Sequence, residues 1–94
     1  MHDLAQSLRD ANIASAEFLK VEAETGLTFA AIAKQSRDAG NAEKAARNRA
    51  QARIAYDTVL RFIGRVALTQ AESESLDLQM TRLKIGLQKL GEPI

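Results

Sequence analysis

Residues 29–52 decide the predicted fold, and they read FAAIAKQSRDAGNAEKAARNRAQA. Alanine and long polar side chains dominate both halves of this stretch, and such residues favour the α-helix. Gly40 and Asn41 interrupt it, because glycine can take the left-handed conformation that closes one helix and asparagine can cap the next. The stretch therefore predicts two antiparallel helices joined by a very short turn, one over about 29–39 and the other from residue 42.

The residues before this hairpin predict a further helix over about 4–25. Gly26 is interpreted as the glycine that ends it, and Thr28 as the residue whose side chain caps the helix that follows. This interpretation gives Gly26 the same role that Gly40 has in the hairpin.

The residues after the hairpin predict a long third helix over about 42–68 and a fourth over about 70–90. Thr69 and Glu72 have the spacing of a capping box, in which each side chain accepts a backbone hydrogen bond at the start of a helix. With loops this short, sequential helices pack as antiparallel neighbours. The sequence thus predicts an all-α, up-and-down bundle of four helices that forms a single domain over residues 1–94.

Composition excludes several classes of protein. The chain has 94 residues, 46% of them hydrophobic, with 13 Lys and Arg, 12 Asp and Glu, and no Cys. Without Cys there are no disulfides, thiolate zinc sites or Cys nucleophiles, and a reducing compartment fits this composition. No apolar run approaches the roughly 20 residues that span a bilayer, and the N-terminus lacks the features of a signal peptide. We expect a cytoplasmic protein that has no membrane partner.

The sequence offers no catalytic residue. The single His2 precedes the first predicted helix, where no serine or carboxylate is fixed beside it, so a Ser-His-Asp arrangement is not expected. Metal sites in helical bundles need Glu-x-x-His pairs, and the sequence has none. We therefore assign no catalytic, cofactor-binding or metal-ligating residue and expect that the protein is not an enzyme.

The fourth predicted helix has two apolar faces. One is a stripe typical of a core and comprises Leu76, Met80, Leu83, Leu87 and Leu90. Leu78 and Ile85, seven residues apart, lie nearly opposite this stripe. A helix that is apolar on both sides is usually covered on both sides, which predicts either a homodimer surface or a second contact inside the protein.

The third predicted helix carries a basic face formed by Arg47, Arg61 and Arg65. Ile54 lies on the same side and is a further candidate for apolar contact with a partner, besides Leu78 and Ile85. One interpretation is a surface that binds an acidic partner, phosphate or nucleic acid. The other is an ordinary solvated helix face, which is the more common role of such residues. Helix-turn-helix DNA binding is disfavoured, because the Gly40 junction is abrupt and the alanine-rich first turns offer few side chains to read bases.

Residues 29–52 resemble a tetratricopeptide-repeat helical hairpin. The resemblance rests on an early aromatic residue, an aliphatic and a small residue three and four positions later, a glycine at the turn, and small residues seven apart in the second helix. The matching positions are Phe29, Ile32, Ala33, Gly40, Ala45 and Ala52. Ser36 and Arg49 depart from the family pattern where it prefers aromatic residues, and Asp57 departs from it where a proline ends the repeat.

This resemblance implies a single degenerate hairpin extended into a bundle, which is similar in this respect to microtubule-interacting and transport domains. It also implies a protein-interaction module, with Lys34, Gln35 and Asp38 as exposed candidate residues. We predict a non-enzymatic interaction or scaffolding protein that binds a protein partner or itself, as a homodimer, through Leu78 and Ile85. The alternative is a binder of nucleic acid or another anionic ligand that uses the basic face.

Overall fold

The computed structural model describes the backbone of residues 4–94 and the side chains of residues 16–94. It contains three α-helices: α1 (Leu4–Asp38), α2 (Ala42–Phe62) and α3 (Gln70–Lys89), with a short 3-10 helix (Ile63–Arg65) after α2. No strand occurs in this part of the chain, and the all-α prediction is confirmed. The described residues form three helices rather than the predicted four.

The predicted helix end at Gly26 is wrong, because α1 continues through this residue. Gly26 is buried and does not take the left-handed conformation. A Cβ atom at this position would lie 2.7 Å from Cδ2 of Leu83 and 3.1 Å from Cβ of Ala55. The Thr28 side chain does not cap a helix, since its hydroxyl donates to the carbonyl of Glu24 at 3.1 Å, one turn earlier in the same helix. Glycine is needed here for close helix packing rather than for a turn.

The turn at Gly40 and Asn41 is confirmed. Gly40 has a φ of +81°. Its N–H donates to the carbonyl of Arg37, and the N–H of Asn41 donates to the carbonyl of Ser36, which is the hydrogen-bond pattern of a Schellman motif. The Asn41 side chain then accepts from the N–H of Lys44 at 3.1 Å and caps α2. These bonds fix α1 and α2 as an antiparallel hairpin.

The third predicted helix was expected to reach residue 68, but α2 ends at Phe62. The next turn tightens into the 3-10 helix, and Val66 is extended. Gly64 lies in this turn, where its low helix propensity weakens the α-helix. The segment after α2 closes one end of the bundle, because several of its side chains pack against the core: Ile63, Val66 and Leu68.

Both predicted ends of α3 are confirmed. Thr69 and Glu72 form the capping box, in which the Thr69 hydroxyl accepts from the N–H of Glu72 at 3.1 Å. The Glu72 carboxylate accepts from the N–H of Thr69 at 2.9 Å. At the other end, Gly91 has a φ of +96° and closes a second Schellman motif. The hydrogen bonds that cap both ends join residues close together in the sequence.

The core lies along α1, which packs extensively against α2 and less extensively against α3, whereas α2 and α3 touch each other only sparsely. Its buried apolar residues come from all three helices: Leu19, Ala23, Ala30, Ala33, Ala52, Ala55, Tyr56, Val59, Leu76, Met80, Leu83 and Leu87. Alanine is frequent on α1 and α2, which lets these two helices approach closely.

A salt-bridged contact fastens the C-terminal segment to α2. The guanidinium of Arg49 binds the Glu92 carboxylate, with an Nη2 to Oε2 distance of 2.8 Å, and also donates to the carbonyl of Leu90 at 2.9 Å. Arg53 lies 3.6 Å from the other carboxylate oxygen. The Glu92 side chain is only 13% exposed, and hydrogen-bonded ion pairs of this kind hold more strongly than exposed ones.

We predict that Gly26→Ala destabilises the protein. The added methyl group meets Leu83, which is fully buried, and Ala55, whose Cβ cannot rotate away. Overpacking costs about 1–3 kcal/mol, and the better helix propensity of alanine offsets up to about 1 kcal/mol of that. Gly86→Ala is the matched control at a protein concentration low enough to keep the protein monomeric, because its Cβ would lie 3.8 Å from Ala30 in ordinary contact. Urea unfolding of both variants at one protein concentration measures the difference, and equal stabilities would contradict the close packing at residue 26.

We predict different effects on stability for substitutions of Thr28 and Thr69, although the sequence predicts that both residues cap a helix. Thr69→Ala removes the cap of α3 and should lower the free energy of unfolding by about 1 kcal/mol. Thr28→Ala should leave stability unchanged or raise it slightly, because residue 28 is inside α1 and alanine is the better helix former. Thermal unfolding compares them, and a comparable loss from Thr28→Ala would restore the predicted helix boundary.

We predict a small loss of stability in acid that depends on Glu72. The backbone N–H of Thr69, the Thr69 hydroxyl and the nearby charge of Lys20 lower the pKa of Glu72 below its ordinary value of 4.5. A depressed pKa in the folded state means that the contribution is present above pH 4.5 and disappears as the pH falls through the lower, folded value. The stability difference between the native protein and Glu72→Gln should therefore shrink below pH 4.5 in thermal unfolding, and a constant difference would contradict this role.

Candidate interaction surface

The two apolar faces of α3 differ sharply in burial. The predicted core stripe is buried, with Leu76, Met80, Leu83 and Leu87 all inside the bundle and Leu90 partly so. Leu78 and Ile85 remain 53% and 47% exposed. The three described helices therefore leave the second face of α3 open.

A groove of about 300 Å³ runs along the surface between α1 and α3, beside Ile85. Its apolar lining is formed by Leu27, Ala30, Ala31, Ile85, Gly86 and Leu90. The two helices lie side by side at Ala30 and Gly86, where a Cβ on residue 86 would lie 3.8 Å from that of Ala30. Small residues at these two positions leave room above them, so the groove is a direct product of the sequence there.

Four cationic side chains surround this groove, Lys34 and Arg37 from α1 and Arg82 and Lys89 from α3, and no acidic residue lines it. Arg37 donates to the carbonyl of Lys89 at 3.0 Å and so links the ends of the two helices. Its Nε atom also lies 3.6 Å from an oxygen of Asp38, an exposed pair of little energetic weight. An apolar floor with a cationic rim favours a ligand that is apolar on one side and acidic.

Charge is segregated along α3. Its acidic residues, Glu72, Glu74 and Asp77, all precede Leu78, whereas its basic residues, Arg82, Lys84 and Lys89, all follow Thr81. This order suits the helix dipole, which favours acidic side chains near the N-terminus and basic ones near the C-terminus. It also gives the exposed face of α3 one acidic half and one basic half.

The predicted basic face of the third helix is only partly assembled. Arg47 pairs with Glu43 at 3.0 Å, one turn earlier in α2. Arg65 lies in the 3-10 helix rather than in α2, with its guanidinium 5.9 Å from the centre of the Phe62 ring. Ile54 is 57% exposed on α2, between Arg47 and Arg61. It shares their helix and is not part of the α3 surface.

The residues implied by the family resemblance do not form one site. Lys34, Gln35 and Asp38 are all exposed. Lys34 lines the groove between α1 and α3, whereas Gln35 lines a shallower groove beside Asn41 and Lys44.

The cations Arg37, Arg82 and Lys89 did not emerge from the sequence as candidates. A signal was present on α3, since residues 82, 85, 86 and 89 share a helix face. Their neighbours on α1 could be identified only once the packing of the two helices was known.

The described side chains contain no group of three or more His, Cys, Asp or Glu residues that could hold a metal ion. In the same part of the chain, every buried side-chain nitrogen or oxygen has a hydrogen-bond partner. No described helix combines the length and the apolar character needed to cross a membrane.

Comparison with protein-family models, with curated protein sequences and with solved structures finds no match to this chain.

Proposed function

We propose that this protein is a non-enzymatic interaction or scaffolding module that self-associates through α3. The observation that carries the proposal is the exposure of Leu78 and Ile85 on a helix whose opposite side already fills the core. Burying a leucine or isoleucine side chain contributes about 1.5–3 kcal/mol. In a symmetric dimer each residue is buried twice, so two side chains per chain supply a substantial apolar contact.

Other exposed apolar side chains support self-association less well. Phe18 and Val21 lie on α1, and Ile54 and Leu60 on α2. Of the exposed large apolar side chains, Ile85 lines the groove between α1 and α3, and Leu78 shares its helix face. We therefore place the partner on α3.

Two further proposals accompany this one. We propose a cytoplasmic location, which is supported by the absence of Cys from the chain. We also propose that the α1–α2 hairpin is a solitary unit of the tetratricopeptide-repeat type, which is supported by the burial of Ala33 and Ala52 on its facing sides.

The basic face of α2 supports nucleic-acid or anionic-ligand binding less strongly. Arg47 is already paired with Glu43 at 3.0 Å, and Arg65 lies beyond α2 in the 3-10 helix. The three arginines therefore do not lie together on one continuous α-helix, as a surface for such a ligand was expected to. Retention on an anionic column that weakens steeply with salt would support this alternative against the self-association proposal.

We predict that the double variant Leu78→Asp/Ile85→Asp is monomeric where the native protein is dimeric. At high concentration the native protein should sediment with twice its chain mass of 10.3 kDa. Two carboxylates in place of the apolar contact should raise the dissociation constant by roughly a hundredfold or more. Sedimentation equilibrium over a range of concentrations measures this change.

Leu60→Asp is the matched control for this experiment. Leu60 is 51% exposed on α2, so the substitution has the same chemistry at a similar exposure but on another helix. It should leave both the helix content and the dimer intact. A native protein that stays monomeric at millimolar concentration would overturn the self-association proposal.

A further inference from the structure

Two copies of the α3 face that carries Leu78 and Ile85 have complementary charges only when the two helices run antiparallel. If two copies of α3 packed in parallel, their acidic halves would face each other, and so would their basic halves. If they packed antiparallel, the half that holds Glu74 and Asp77 would face the half that holds Arg82 and Lys89. Charge complementarity of this kind sets the orientation of helix pairs.

The apolar residues set the register of such an antiparallel pair. Placing Leu78 of one protomer opposite Ile85 of its partner puts the two-fold axis midway between positions 81 and 82. Glu74 precedes Leu78 by four residues, and Lys89 follows Ile85 by four residues. In this register Glu74 of one protomer therefore faces Lys89 of its partner, twice in each dimer.

The groove between α1 and α3 adds a second set of contacts in the same register. Contacts between these helices advance in the same direction along both, from Gly26 with Leu83 to Arg37 with Lys89. The two helices are thus parallel, and their C-terminal halves lie side by side. An antiparallel copy of α3 would lay its acidic half over the cationic ends of both helices.

The floor of the groove suits the apolar residue that this acidic half carries. Ala30 and Gly86 face each other across the two helices and leave room for a leucine side chain above them, beside Leu27. Leu78 of the second copy falls at this level when it faces Ile85. Lys34 and Arg37 then join Lys89 around Glu74 of the second copy.

We propose that the acidic first half of α3 from a second copy of this chain occupies the groove between α1 and α3, antiparallel, with Leu78 of each protomer on Ile85 of the other. This inference rests on the proposed self-association and specifies its geometry. It adds two residues of α1, Lys34 and Arg37, to the interface. Neither residue belongs to the exposed face of α3.

The orientation can be tested by crosslinking, because the chain has no native Cys. Glu74→Cys and Lys89→Cys are prepared as separate proteins, mixed, and treated with a short bismaleimide. The inference requires a crosslinked dimer from the mixture and none from either variant alone. Lys44→Cys replaces Lys89→Cys as the control, since residue 44 is exposed on α2 and should give no crosslink with residue 74. Self-crosslinking of Glu74→Cys would show a parallel pair and overturn the inference.

The role of the groove can be tested through α1, outside the Leu78 and Ile85 face. Lys34→Glu places a carboxylate near Glu74 of the second copy and should raise the dissociation constant about tenfold in sedimentation equilibrium. Lys44→Glu makes the same charge change on α2 and should have no effect.

The two proposals fail in different ways. A monomeric native protein overturns self-association and this geometry together. The other case is a native dimer that Leu78→Asp/Ile85→Asp dissociates but that Lys34→Glu leaves unaffected, or one that gives no crosslink in the mixture. Such a result would support the proposed self-association and overturn only the antiparallel packing of α3 in the groove.

Discussion

The packing of Gly26 against Leu83 and Ala55 is the constraint on which the arrangement of the three helices depends. At this point a residue of α1 has no side chain, and the space is filled by residues of both α3 and α2. A single methyl group would force the Leu83 side chain or the helix backbones to move, because the surrounding core is packed with little free volume. The same contact fixes how far α3 slides along α1, and hence which residues border the groove farther along the two helices.

The sequence presents Gly26 and Gly40 in the same way, as a glycine followed closely by a residue able to cap a helix, but the two have different roles. Gly40 has positive φ, and its hydrogen bonds run to residues within one turn. Such local interactions explain why that turn and the cap at Thr69 were predicted correctly. The role of Gly26 depends on Leu83, which lies far away in the sequence, and no local pattern contains that contact. The early end of α2 lies between these two cases. Gly64 could be recognised in the sequence as a weak helix former, but whether it ends the helix depends on how the following apolar side chains pack.

The candidate surface shows the same division between local features, which the sequence predicts, and contacts between helices, which it does not. Leu78 and Ile85 could be recognised from the periodicity of one helix, because the opposite face of α3 already accounted for the core. The cationic residues around the groove could not be recognised in this way, because half of them belong to α1. The periodicity of one helix carries no information about which helix packs beside it. Arg65 shows the converse error. Its place on a common face with Arg47 and Arg61 assumed a continuous α-helix, and the backbone changes geometry after Phe62.

The sparse contact between α2 and α3 gives the molecule an uneven distribution of stability. The α1–α2 hairpin is closed by its own turn and by a long interface, whereas α3 is held by its contact with α1 and by the Arg49–Glu92 ion pair at its end. Such a helix is the first cooperative unit to open in a local unfolding equilibrium. Opening would expose Leu83 and Leu87 in addition to Leu78 and Ile85, which are already exposed. The helix that we propose for self-association is therefore also the one whose order a second copy would stabilise. Self-association of this kind would be thermodynamically linked to the folding of α3.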